Sequence, residues 1–183
     1  SDRCVGIVLL AIALIGSVWM WTLTEHGVGI GNDAVVYLAG ARNLYSGEGF
    51  TWFSGDGSAR PINHYPAQLA AVLGLSLPLS IPMLLWARII QVALFAVNIF
   101  LLGSLVWRLT HSTYFAAAAG VIFVASEEMI SLHAWSMSDS LFLALVLLFM
   151  LILLREGGWR LERGRVAALA IVAALAALTR YIG

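Results

Sequence analysis

Nineteen consecutive residues, Val5–Leu23, carry no charged side chain. That is close to the roughly 20 apolar residues a helix needs to cross a bilayer core. A polar, glycine-rich stretch follows, with no small-residue cleavage site, so the segment reads as an anchor and not a signal peptide. Ile89–Trp107 is a second uncharged run, and Tyr114–Ile130 a third that ends in Glu127 and Glu128. Met137–Leu154 is a fourth with Asp139 near its start, and the alanine-rich Val166–Tyr181 a fifth with Arg180 at its end. Of the whole chain, 61% is hydrophobic and 11% charged, against about 25% charged in soluble domains. A soluble enzyme, a nucleic-acid binder and a disordered chain are thereby excluded, and a net charge of zero supplies no field to attract nucleic acid. The expectation is one all-α polytopic membrane domain over 1–183, with about five transmembrane helices and interfacial helices in the first outer loop.

Arginine sets the direction. Arg3, Arg108, Arg155, Arg160, Arg163 and Arg165 fall on one side if the N-terminus is cytoplasmic, leaving Glu25, Asp33, Glu48, Asp56, Glu127, Glu128 and Asp139 on the other. Pro66–Leu77 is also apolar, but twelve helical residues reach only about 18 Å of a core roughly 30 Å thick. Pro78 and Pro82 then interrupt it. It is read as an interfacial or re-entrant helix at the outer surface.

Thr24–Tyr65 is a 42-residue outer loop, a length that usually signals function. Asn32 is placed as an N-cap before a helix over Asp33–Tyr45, with Val35, Leu38, Ala39 and Ala41 on its apolar side. Gly47, Gly49, Gly55 and Gly57 mark turns, and Trp52, Phe53 and Tyr65 suit a headgroup region.

The run Asn32-Asp33-Ala34-Val35-Val36-Tyr37-Leu38-Ala39-Gly40-Ala41-Arg42-Asn43-Leu44, closed by Gly47-Glu48-Gly49-Phe50, resembles the first outer loop of GT-C glycosyltransferases. The branch it is most similar to holds the bacterial relatives of protein O-mannosyltransferases and of the lipid A aminoarabinose transferase. Arg60-Pro61 with His64-Tyr65-Pro66 resembles their loop-to-helix element, Ser138-Asp139-Ser140-Leu141 the acid that opens the fourth span, and Leu178-Thr179-Arg180-Tyr181-Ile182-Gly183 a late outer turn. The resemblance implies an enzyme of the bacterial inner (plasma) membrane that takes sugar from a polyprenyl-phosphate donor on the extracytoplasmic side. Members of that group have more spans and a longer chain, so it also implies the N-terminal portion of such an enzyme, or a reduced homologue without the chemistry.

By this resemblance Asp33 is the base for the acceptor hydroxyl and Asp139 an acid lining the site. Each has a plain alternative: a first-turn acid that suits the helix dipole, and a helix cap or loop acid at the membrane edge. Arg180 suits a phosphate or a snorkelling anchor. Arg60 and His64 are candidates for the same anion or an exposed loop pair, and Tyr65 belongs to the same element. Glu127 and Glu128 point about 100° apart on a helix, so at most one, Glu128 for preference, faces a site. His26, His111 and His133 stand without metal-ligand spacing. A divalent cation, magnesium or manganese, would need Asp33 or Asp139 together with the donor's phosphate. Gln91 and Asn98, seven apart in the second span, are expected to hydrogen-bond between helices, and Arg88 to anchor the span's outer start. The rival to the enzyme is a non-catalytic subunit in a larger membrane complex with partner subunits.

Overall fold

The computed structural model describes residues 2–53, 55, 57–154 and 162–180. Asp56, Arg155, Arg160 and the expected end of the fifth span at Tyr181 lie outside the described residues. The chain runs α1 (Asp2–Leu23), α2 (Asn32–Tyr45), β1 (Thr51–Phe53), β2 (Ala59–Pro61), α3 (Gln68–Gly74), α4 (Met83–Thr110), α5 (Thr113–Ala125), α6 (Glu127–Ala134), α7 (Asp139–Leu153) and α8 (Arg163–Thr179).

By length and composition two helices can cross a membrane, Arg3–Leu23 and Met83–Thr110, or three if α5 and α6 count as one broken span. By that measure two to three of the five expected spans are accounted for, and the rest fall short for physical reasons. Ser126 ends α5 in extended backbone and its hydroxyl caps α6 by accepting from the Met129 amide. The two helices are bent by 61° there, so the expected span to Ile130 breaks four residues early. The 15 residues of α7 rise only about 22 Å. The 17 of α8 rise about 25 Å and begin with Arg163 and Arg165.

α4 is the centre of the bundle, with α1, α5 and α7 packed along it and α8 outside α7. It begins at Met83, directly after Pro82, six residues before the expected Ile89. Arg88 does not end the helix. Its guanidinium folds back over the Trp21 ring at 3.6 Å and donates to the Trp21 carbonyl and the Thr24 hydroxyl, tying α4 to the end of α1. α1 and α4 approach through reciprocal glycines. A Cβ on Gly16 would lie 2.7 Å from Ile99, and one on Gly103 would run into Leu9. Small residues permit such close helix contact. Around it lies a core of Ala13, Met20, Phe95, Ile99 and Phe123.

Gln91 and Asn98 are buried and hydrogen-bond between helices. Gln91 donates to the Met137 carbonyl and accepts from Ser140, while Asn98 donates to the Ser140 carbonyl and to Nε2 of buried His133. His133 Nδ1–H in turn donates to the Met129 carbonyl. At the far end of the bundle Arg108 donates to the Leu151 carbonyl and Arg165 to those of Ile152 and Leu153. Those arginines satisfy carbonyls that a helix C-terminus leaves without partners.

The connections after α1 and α2 fold over the other end, called here the loop end. α2 and α3 share a core of Tyr37, Ala41, Leu69, Ala70, Leu73 and Ala87. The apolar side expected for α2 is rotated: Val35 is exposed, and Ala34, Val36, Tyr37, Gly40 and Ala41 are buried. β1 and β2 form an antiparallel hairpin with Trp52 opposite Arg60. Gly47, Gly49 and Gly57 hold positive φ around it, the backbone that glycine adopts most readily. Pro66–Leu77 is helical only over Gln68–Gly74, and α3 packs on α2 and α4.

Candidate functional site at the loop end

The start of α2 is fixed from the chain before it. Gly29 accepts from the Ser136 amide at 3.0 Å and donates to the Ala134 carbonyl at 2.7 Å, joining the approach to α2 to the link between α6 and α7. A Cβ at Gly29 would fall 2.7 Å from the Trp135 ring. Gly31, still extended, is therefore the N-cap, and Asn32 is the first helical residue without a side-chain capping bond. This corrects the expected cap at Asn32.

Asp33 sits in the first turn, half-buried, and its carboxylate accepts a 2.8 Å hydrogen bond from the Tyr65 hydroxyl. That bond, with burial and the carboxylate's charge behind it, raises the Tyr65 phenol above its ordinary value. Tyr65 stays protonated and a donor across the neutral range. One helical turn on, Tyr37 packs edge-to-face against Tyr65 at 5.4 Å. Its hydroxyl donates to Ser138 Oγ at 3.2 Å. Ser138 precedes Asp139, which is ion-paired with Arg180. The neighbouring Thr179 hydroxyl donates to Gln68 Oε1 at 2.8 Å, fixing the end of α8 to α3.

Two cavities border the start of α2. One, of about 610 Å³, is lined by Asn32, Trp52, Arg60, Asn63, His64 and Tyr65. The other, of about 480 Å³, is lined by Gly31, Glu128, Ser131, Trp135, Met137 and Asp139. The adjacent residues Gly31 and Asn32 thus line different cavities. Arg60, His64 and Tyr65 share the first cavity, and Glu128 and Asp139 the second. Asp33 lines neither but is bonded to Tyr65, and Arg180 is joined to the second through Asp139. Asp33 does not touch Asp139 or Arg180 directly; Tyr65, Tyr37 and Ser138 stand between. Glu127 and Glu128 are both exposed in the first turn of α6, and of the two only Glu128 lines the cavity.

Among the described residues no three His, Cys, Asp or Glu side chains come together. Each cavity wall supplies at most carboxylates already engaged or standing alone, so these residues do not form a divalent-cation centre by themselves. Sequence reasoning missed Tyr37, whose signal is its spacing of four from Asp33, the interval that puts two side chains on one helix face. It also missed Trp135 and Asn63, which no spacing marks. Comparison with known protein families, with curated proteins and with solved structures finds no match to this chain.

Proposed function

We propose that this chain is a membrane glycosyltransferase, or the N-terminal portion of one, that moves a sugar from a polyprenyl-phosphate donor to an acceptor hydroxyl at the loop end. The observation that carries the reading is the half-buried Asp33 carboxylate, bonded to Tyr65, which lines a cavity with Arg60 and His64, and linked through Tyr37 and Ser138 to the Asp139–Arg180 pair. The GT-C resemblance assigns its roles to these same residues.

In the reaction the acceptor oxygen bonds to the anomeric carbon while the carbon–oxygen bond to phosphate breaks. The bonding pair leaves with the phosphate and the hydroxyl proton passes to Asp33, a transfer worth roughly 10²–10⁴-fold in rate. Arg180 is half exposed beside Asp139. Its five N–H donors exceed what one carboxylate takes, so it can also hold phosphate oxygens. The finer topology belongs to this proposal: α7 and α8 also cross, the protein sits in the bacterial inner membrane, and the end holding Arg108 and Arg165 is cytoplasmic.

The non-catalytic subunit remains the second reading, favoured by one observation: Arg180 already has a counter-charge in Asp139. The deciding assay follows sugar release from polyprenyl-phosphate donors by the full-length form in nanodiscs. Asp33→Asn keeps a helix-starting residue and should abolish turnover, while Arg180→Ala should mainly raise KM. Full activity of Asp33→Asn removes Asp33 from the mechanism. An inactive wild type across a panel of donors selects the subunit.

A further inference from the structure

The bundle is open between α5 and α7. Both pack along α4 and scarcely meet each other. The gap is an apolar groove of about 410 Å³, lined by Leu102, Ala119, Ile122, Leu143 and Leu147. The bend at Ser126 lays α6 across the loop end of this groove. There Met129 lines both the groove and the 480 Å³ cavity that contains Glu128 and Asp139. An apolar slot and, as its mouth, a cavity that carries two carboxylates therefore share one wall.

The mouth has a definite charge. Its charged lining residues are Glu128 and Asp139, and Asp139 is neutralised by Arg180. Glu128 is exposed and has no ion-pair partner among the described residues. The slot suits a hydrocarbon chain, and the mouth suits a head bearing a hydrogen-bonding cation. A primary ammonium satisfies this through charge-assisted N–H donation; a quaternary ammonium has no N–H, and a glycerol head has no cation.

We propose that the α5–α7 groove and its mouth bind one bilayer phospholipid with a primary-amine head, phosphatidylethanolamine, with an acyl chain along Ile122 and Leu147 and the ammonium at Glu128. The lipid site rests on the groove and Glu128 and not on the transferase reading. Its mouth, however, is the cavity that reading gives to Asp139 and its partner Arg180, so a donor phosphate and the lipid head would exclude each other there.

The test uses the full chain in nanodiscs of equal parts phosphatidylethanolamine and phosphatidylglycerol, with retained lipid counted by native mass spectrometry after gentle delipidation. One phosphatidylethanolamine per chain should persist. Glu128→Gln should reduce its preference over phosphatidylglycerol by roughly two- to fivefold, the range of an exposed charge pair. Ile122 is 68% exposed, so Ile122→Trp can fill the slot without disturbing packed core and should abolish retention with an unchanged melting curve. The proposal is overturned by equal retention of the two lipids in the wild type, or by retention that survives Ile122→Trp. Displacement of the lipid by added polyprenyl phosphate at equal concentration would also overturn it, by giving the slot to the donor.

Discussion

Asp33 and Tyr65 are 32 residues apart in sequence and joined by one hydrogen bond. The carboxylate keeps lone pairs for a second donor, so the phenol orients the group and leaves it able to accept from another hydroxyl. The coupling has a pH signature. Because the folded state raises the Tyr65 value, the protonated phenol is the stabilised form. Its contribution is present in full below the unfolded value of about 10 and is lost as pH rises through the higher folded value. Asp33→Asn should therefore lower the Tyr65 tyrosinate step in an ultraviolet titration. Tyr65→Phe should remove that step and flatten the fall in melting temperature above pH 10. An unchanged titration in Asp33→Asn would show that the carboxylate does not set the phenol.

Among the elements, α2 depends on two glycines that carry close neighbours. A Cβ on Gly29 meets Trp135, and one on Gly40 meets Phe50 and Ile62 of the hairpin region. Gly40→Val should lever the hairpin off α2 at a cost of about 1–3 kcal/mol, as overpacking does. Faster proteolysis at residues 51–61 together with a lower melting temperature would register it; wild-type values in both would mean the hairpin docks elsewhere. The presence of α1, α4 and α2 was legible in the sequence, because uncharged runs and a first-turn acid are local signals. Their edges were not. Arg88 looked like a boundary because the reading assumed that a charge ends an apolar helix, whereas this guanidinium bends back onto Trp21. The break at Ser126 was legible in principle, since a serine before two glutamates is an N-cap signal, but the apolar run on its near side concealed it. The bond between Tyr65 and Asp33 was not legible, because the two become neighbours only through tertiary folding. The division into two cavities likewise depends on the pairing of Gly29 with the Trp135 segment, which no spacing encodes.

For the whole molecule, the arginine count makes a claim about sidedness. After Cys4→Ser, single cysteines at Gly57 and Gly158 should label from opposite faces of intact membrane vesicles, with Gly57 reached from the extracytoplasmic side. Labelling of both from one face would mean that Pro66–Leu77 crosses or that one of the shorter helices does not. Gly57 holds a positive φ in an exposed turn, which Cys adopts less readily, so the adjacent exposed Ser58 serves as a second position.

The length of α7 carries a consequence for the membrane itself. The Asp139–Arg180 pair marks one end of this helix, and Arg108 and Arg165 grip its final carbonyls at the other. Two ionic rims are thereby held about 22 Å apart on one flank, while α4, with 28 residues, can reach about 42 Å. If α7 crosses, as proposed, a bilayer of ordinary hydrophobic thickness, roughly 30 Å, must pinch inward beside it or leave charge in hydrocarbon. Such mismatch costs fractions of a kcal/mol per Å and falls on one side of the protein only. Lipids with short chains should gather on the α7 flank, and thermal stability in nanodiscs should fall as acyl length increases from 14 to about 20 carbons. A stability independent of chain length would show that the two rims do not meet the bilayer together.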